Sequence, residues 1–194
     1  MYKMGLLRGD RTKSANVVGQ TMKLNPHGDQ AIYETMVRMT RGNEALLHPF
    51  VDSKGNFGKQ YSRDMSYAAS RYTEVKLASI SGEMFRDIDK DCVPFTPNYD
   101  GTIMEPVMLP SAFPNILINA SQGIAVGITS NLPSFNLNEV CECVIAYIEN
   151  RDINIADYIK APDFSTGGYV IYDKDEMDNI INNGRGKVRL RAKY

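Results

Sequence analysis

No uninterrupted apolar run in this chain approaches the roughly 20 residues that a membrane-spanning helix needs, which excludes such a helix within it. The opening residues, Met1-Tyr2-Lys3-Met4-Gly5, lack the basic and then apolar pattern of a secretory signal, so the cytoplasm is the default compartment. Three cysteines, Cys92, Cys141 and Cys143, are too few for a disulfide framework. The last two stand two apart in a helical pattern and point in nearly opposite directions. Two histidines, His27 and His48, exclude a His-rich zinc site. A Gly-rich loop able to cradle ATP phosphates is missing, as are internal repeats and low-complexity tracts.

What remains is a chain of 194 residues, 43% hydrophobic, long enough to bury a sizeable core in one or two domains. Its net charge of -1 runs against a nucleic-acid binder, which usually carries excess cations to replace phosphate counterions. The distribution says more than the sum. Residues 1–50 hold Lys3, Arg8, Arg11, Lys13, Lys23, Arg38 and Arg41 against Asp10, Asp29, Glu34 and Glu44, whereas residues 101–150 hold no Lys or Arg. Such asymmetry suits a protein that turns one face to DNA and keeps another for packing.

Residues 14–23 form a short helical pattern, Pro26-His27-Gly28 breaks it, and a second helix begins at Asp29, which is placed to cap it. Ile32, Met36 and Met39 recur on its inner side; Gln30, Glu34, Arg38 and Arg41 lie along another. Helix, turn, helix is the expected local order. A recognition helix in a DNA groove is one reading, with free first-turn N–H groups open to a phosphate. An ordinary surface helix pair is the other, and it is the more common. A strand and loop follow over 50–58. Thr73 then reads as the N-cap of a helix with Leu77, Ile80, Met84 and Ile88 on its core face, reaching Asp91.

Tyr72 stands just before that expected helix, beside Arg71. A phenol titrates near 10 and is a poor nucleophile at neutral pH. A working tyrosine needs a neighbouring cation or base. Arg71 supplies permanent charge, and a helix N-terminus would offer N–H groups to an anionic phosphoryl group. Against this, most tyrosines bury the ring and expose the hydroxyl with no chemistry at all. Spacing alone does not choose.

The second half reads as strands over 104–109, 116–121 and 124–130, a helix capped by Asn136 with Glu139 and reaching Asn150, a strand over 168–172, a helix over 175–183, and an alternating stretch from Lys187 to Tyr194. Asp87, Asp89 and Asp91 have metal-like spacing, but alternate acids at a helix end more often form a solvated face.

Two runs, Asn25-Pro26-His27-Gly28-Asp29-Gln30-Ala31-Ile32-Tyr33-Glu34 and Ala68-Ala69-Ser70-Arg71-Tyr72-Thr73-Glu74, together resemble the DNA-cleaving centre of bacterial type IIA topoisomerases, in the A subunits of DNA gyrase and topoisomerase IV. Further family-like signatures follow in order: Asn16-Val17-Val18-Gly19, Val51-Asp52-Ser53-Lys54-Gly55-Asn56-Phe57-Gly58, Asn98-Tyr99-Asp100-Gly101, Phe113-Pro114-Asn115, Ser121-Gln122-Gly123-Ile124-Ala125-Val126-Gly127 and Gly184-Arg185-Gly186-Lys187-Val188. The resemblance implies an α/β (α+β) fold, with a winged-helix (helix-turn-helix) cleavage region over 1–106 and the first part of a β-rich tower domain over 107–194. It implies a cytoplasmic, nucleoid-associated bacterial enzyme that changes DNA topology. Tyr72 would be the nucleophile, forming a 5′-phosphotyrosyl link, with Arg71 and His27 near the scissile phosphate. Lys23, Asn25, Gln30, Arg38 and Ile124 would touch double-stranded DNA, Ile124 as an intercalating wedge. Mg²⁺ and ATP would both sit on a partner B subunit, with no metal held by this chain, in an A2B2 assembly built on a homodimer. Gln30 and Glu34 occupy the positions that bind fluoroquinolones.

The departures are specific. Asn25 stands where the family usually has histidine and can donate a hydrogen bond but never carry charge. Gln30 replaces Ser or Thr, which should weaken a drug-anchoring water and metal bridge. Asn16 replaces a frequent Arg. The family's A subunits are several times longer, so a fragment is expected, weak or inactive by itself. A non-catalytic winged-helix DNA-binding module and a truncated assembly piece are the alternatives.

Overall fold

The computed structural model describes residues 1–193, which form a mixed α/β fold of six α-helices and small antiparallel sheets in two compact units, Met1–Phe113 and Pro114–Tyr194. Each unit has its own apolar interior.

In the first unit strand β1 (Thr12–Lys13) runs directly into helix α1 (Ser14–Thr21), which buries Ser14, Val17 and Val18 at the i, i+3, i+4 spacing of one helix face. Pro26 stops the helical path and Gly28 precedes helix α2 (Asp29–Arg38). Helix α2 buries Ile32, Tyr33, Met36 and Val37 and leaves Gln30, Glu34 and Arg38 exposed. Asp29 does not cap it: the N-cap position is Gly28, and no side chain bonds the first turn. Asp29 is already the first helical residue, one step too far along to fold back on the N–H groups a cap serves.

Strands β2 (Val51–Lys54), β3 (Phe57–Lys59), β4 (Ser62–Tyr67) and β5 (Glu74–Leu77) follow. Strand β5 is the centre of an antiparallel sheet of order β1-β5-β2, with Val75 opposite both Thr12 and Ser53. The long helix expected from Thr73 to Asp91 is therefore absent. Val75 and Leu77 are buried and alternate with half-buried Glu74 and Lys76, a period of two, and both backbone edges of the strand are claimed by neighbours. The helical spacing of Leu77, Ile80, Met84 and Ile88 is coincidental, and only one turn, α3 (Ser81–Met84), is helical there. Helices α1 and α2 close over the sheet through a core of Leu6, Val17, Val18, Ile32, Tyr33, Met36, Val37, Val51, Phe57 and Val75.

Strands β3 and β4 pair as a hairpin, with an irregularity between Phe57 and Lys59. The hairpin of β6 (Phe95–Pro97) and β7 (Met104–Pro106) completes the regular structure of this unit. The strand expected over 104–109 ends at Pro106. Residues 107–113, assigned from sequence to the second region, belong to this unit, anchored by the Ala112 N–H donating to Glu83 O at 2.9 Å.

In the second unit the expected strand at 116–121 is replaced by a single helical turn, α4 (Asn115–Ile118), set going by Pro114, whose carbonyl accepts from the Leu117 N–H. The expected strand at 124–130 is two strands, β8 (Ser121–Ala125) and β9 (Ile128–Leu132), folded at Val126-Gly127. Asn136 caps α5 (Leu137–Glu149) as expected, accepting from the N–H groups of Asn138 and Glu139. Glu139 does not return the bond; its carboxylate accepts from Lys160 N–H instead. Cys143 is buried on α5 and Cys141 is half-exposed. Strand β10 (Tyr169–Ile171), helix α6 (Lys174–Asn183) and strand β11 (Arg189–Arg191) end the description, with β10 and β11 paired. Of the alternating stretch expected from Lys187, Tyr194 lies outside the described residues. Ile118, Phe135, Val140, Cys143, Ala156, Ile159 and Met177 are buried here. No helix among the described residues is long and apolar enough to cross a membrane.

Candidate functional site

The segment from Ala68 to Thr73 links β4 to β5, and backbone bonds shape its middle. Tyr72 N–H donates to Ala69 O at 2.9 Å, closing a tight turn. The start of α1 grips the turn from one side, through Ser14 N–H to Thr73 O (3.0 Å) and Ala15 N–H to Ser70 O (3.2 Å). Ala68 N–H donates to Asn56 O at 3.0 Å on the other. A turn closed by one backbone bond and pinned to its neighbours by three holds Arg71 and Tyr72 outward. Tyr72 is 65% exposed, and the Arg71 guanidinium carbon lies 4.7 Å from the centre of its ring. This is a cation over a π face, in a geometry that also keeps positive charge beside any anion the phenol meets.

The helix N-terminus expected after Tyr72 is missing, since Thr73 leads into β5. No helical N–H groups stand ready there for a phosphoryl oxygen. Thr73 points inward and is fully buried.

His27, Asn25 and Lys23 lie in the connection between α1 and α2 and all three are exposed. Asn25 N–H donates to Thr21 O at 2.9 Å, and Asn98 Nδ2 donates to Lys23 O at 3.1 Å, which fixes the backbone of the connection while leaving its side chains outward. Among the described residues no hydrogen bond or ring contact joins His27 to Arg71 or Tyr72. Along the exposed face of α2, Gln30 Nε2 donates to Glu34 Oε1 (2.7 Å) and to Tyr67 OH (2.9 Å), and Tyr67 OH donates to the same Glu34 oxygen (3.0 Å). These two donors, Gln30 first and Tyr67 second, hold the Glu34 carboxyl below its usual range. Burial, and then the Glu34 carboxylate, push the Tyr67 phenol up. Arg38 extends the same face, exposed.

Ile124 belongs to the second unit, on β8 opposite Thr129, and is 82% exposed. Val126 and Ile128 beside it are likewise exposed. Ile124, paired with Thr129, and Ile128, paired with Ala125, lie on opposite faces of this two-stranded ribbon. No group of three or more His, Cys, Asp or Glu among the described residues is arranged to hold a metal ion. Asp87 of the aspartate cluster pairs with Lys90 at 2.8 Å.

Sequence patterns miss the layer under the turn. Ser14, Thr73 and Tyr33 are buried in a row of hydroxyls, and Tyr67 joins Gln30 to Glu34. None has a periodic signature, because the contacts cross 33 to 59 positions of chain.

A family model for the A subunit of DNA gyrase/topoisomerase IV matches residues 1–194. The chain is 48% identical over 185 residues to the DNA gyrase A subunit of Mycoplasma pneumoniae, covering 93% of this chain and 22% of that protein. It is 44% identical over 190 residues to the DNA gyrase A subunit of Campylobacter jejuni, covering 96% and 22%. With the DNA topoisomerase 4 A subunit of Neisseria gonorrhoeae it is 45% identical over 200 residues, covering 100% and 26%. The chain thus spans about a quarter of the length of these relatives or less.

Proposed function

The chain belongs to the family of DNA gyrase and topoisomerase IV A subunits, and from that premise we propose that it is the strand-cleaving part of an ATP-dependent type II topoisomerase, with Tyr72 as nucleophile. The observation that carries this reading is the outward Tyr72 ring with the Arg71 guanidinium over it, on a turn pinned from both sides. The phenolic oxygen attacks a backbone phosphorus, a P–O bond to tyrosine forms, and the P–O bond to the 3′ oxygen breaks. The phenol proton leaves and the released 3′ oxygen takes one up, so a phosphodiester is exchanged for another and the step reverses without an energy input. Arg71 offsets the negative charge that grows on the phosphoryl oxygens. His27, Asn25 and Lys23 supply polar and cationic side chains from the α1–α2 connection, and Gln30 and Arg38 from the exposed face of α2, as phosphate and groove contacts. With Asn25 unable to carry charge, Lys23 and Arg71 bear more of the phosphate neutralisation.

In this reading the first unit is the winged-helix cleavage region and the second the beginning of the tower, with Ile124 as the apolar wedge that trades unstacking, about a few kcal/mol, for bent DNA. Mg²⁺ and ATP belong to a B subunit. The assembly is A2B2, in the bacterial cytoplasm at the nucleoid. The test mixes the full-length A subunit with its B subunit, Mg²⁺ and supercoiled DNA, quenches with detergent, and assays protein on 5′ ends. Adducts should form and should vanish in Tyr72→Phe. Adducts that persist in the phenylalanine variant refute the nucleophile. Binding without any adduct supports a non-catalytic module, and neither supports an assembly piece.

A further inference from the structure

The Tyr72 phenol has no hydrogen-bond partner among the described residues, so its position is inherited from the backbone of residues 68–73. Three buried hydroxyls lie beneath that backbone. Thr73 Oγ1 is 2.7 Å from Ser14 Oγ and 2.9 Å from Tyr33 OH, and Tyr33 OH is 2.8 Å from Ala68 O. Ser14 and Thr73 are fully buried and Tyr33 nearly so. Each hydroxyl owns one proton and the carbonyl owns none. Thr73 Oγ1 donates to Ser14 Oγ and Tyr33 OH donates to Ala68 O, so the Thr73–Tyr33 contact shares one of these two protons as a three-centre bond. Burial pushes the Tyr33 phenol up, so it stays protonated and able to donate.

Ala68 and Thr73 are the two ends of the segment that carries Arg71 and Tyr72. Ser14 begins α1, and Tyr33 lies in α2, on the inner side of the helix whose outer side presents Gln30 and Arg38. We infer that Ser14, Thr73 and Tyr33 form a positioning relay that clamps both ends of the Tyr72 segment to the helix pair and so sets the attack geometry of the phenol. The inference rests on Tyr72 being the nucleophile. None of the three residues touches the DNA; they act through the backbone. A displacement of the reacting atom by about 1 Å can cost about a hundredfold in rate, so a clamp of this kind is felt in cleavage before it is felt in binding.

The relay's connectivity also ranks its members. Tyr33→Phe removes the only side-chain donor to Ala68 O among the described residues and cuts the clamp at both ends. Thr73→Val leaves Tyr33 bonded to Ala68 but removes both side-chain contacts at the Thr73 end. Ser14→Ala leaves the Thr73-to-Tyr33-to-Ala68 run intact. The experiment uses the full-length A subunit with its B subunit, Mg²⁺ and supercoiled DNA, and measures single-turnover 5′ adduct formation and DNA affinity separately, below the melting midpoint of every variant. Adduct formation should fall about tenfold or more in Tyr33→Phe, less in Thr73→Val and least in Ser14→Ala, while Thr73→Ser restores it and affinity stays within about twofold. Because valine fills the space of threonine, a packing role would spare Thr73→Val. Adduct formation equal to the parent in both Tyr33→Phe and Thr73→Val overturns the inference, as does a Thr73→Ser variant no better than Thr73→Val or a parallel loss of affinity. Tyr72→Phe runs alongside: adducts surviving there sink the nucleophile and the relay's purpose with it, whereas adducts lost there but kept in the hydroxyl variants sink the relay alone.

Discussion

Gly58→Ala is the substitution that the geometry of the β3–β4 hairpin condemns most clearly, and a second glycine separates the two reasons. Gly58 has φ +65°, in the left-handed region, and a Cβ there would stand 2.5 Å from Met65 O and 3.0 Å from Tyr67 N. Gly101, in the turn of the β6–β7 hairpin, has φ +72° with nothing within 4 Å of a Cβ. The left-handed conformation costs a non-glycine residue about 1–2 kcal/mol. Gly101→Ala should lose that and no more. At Gly58 the approach is to backbone, which cannot rotate aside, so β4 must move off β3. Ladder bonds at about 0.5–1.5 kcal/mol each are then forfeited, and the total should reach about 3 kcal/mol or more. Urea denaturation of the two variants gives the difference, and amide exchange across residues 65–68 should rise in Gly58→Ala alone. Equal losses at the two glycines would refute the claim that the hairpin is closed against a side chain.

Glu34 gives a pH prediction. Its carboxyl is held below the usual range by Gln30 and then Tyr67, so the folded chain binds that proton less readily than the unfolded chain. The stabilisation is present at neutral pH and above the unfolded value, and is lost as the pH falls through the lower folded value. A side-chain NMR titration should place the Glu34 midpoint below that of an ordinary glutamate and move it upward in Gln30→Ala; a midpoint indifferent to Gln30 contradicts the assignment. If Gln30 and Glu34 form a drug site, weak fluoroquinolone sensitivity is expected of the full-length enzyme, because Gln30 Nε2 and Tyr67 OH both bond Glu34 Oε1 and compete with any bridge to a drug for that carboxylate. Strong drug-stabilised cleavage that disappears in Glu34→Ala would show this expectation to be wrong.

Periodicity reveals most of what it governs. The apolar stripe of Ile32 and Met36 locates α2, Asn136 marks the start of α5, and the ordered motifs point to the family. It fails where two periods coincide. Leu77, Ile80, Met84 and Ile88 satisfy a helix while Val75 and Leu77 satisfy a strand, and the decision belongs to β1 and β2, whose arrival on both edges of β5 is a tertiary fact. The setting of Tyr72 differs from expectation for the same reason. The strand expected over 116–121 is instead a helical turn begun by Pro114, and the one expected over 124–130 is folded into two strands at Gly127. Ser14, Tyr33 and Thr73 are invisible as a set, since hydroxyls carry no moment and their partners lie 40 and 59 positions apart.

The β8–β9 ribbon has a consequence for handling the protein. Its two strands have no third neighbour among the described residues, and Ile124, Val126 and Ile128 are exposed by 82%, 105% and 72%. Open edges and bare apolar side chains together are the ingredients of intermolecular strand pairing. Gln122, Ser130 and Asn131 interrupt the apolar residues of the ribbon without placing a charge on it. The segment read as gripping DNA is thus also the segment on which the colloidal behaviour of the free protein turns, and a ligand that covers it would work as a solubiliser as much as a substrate.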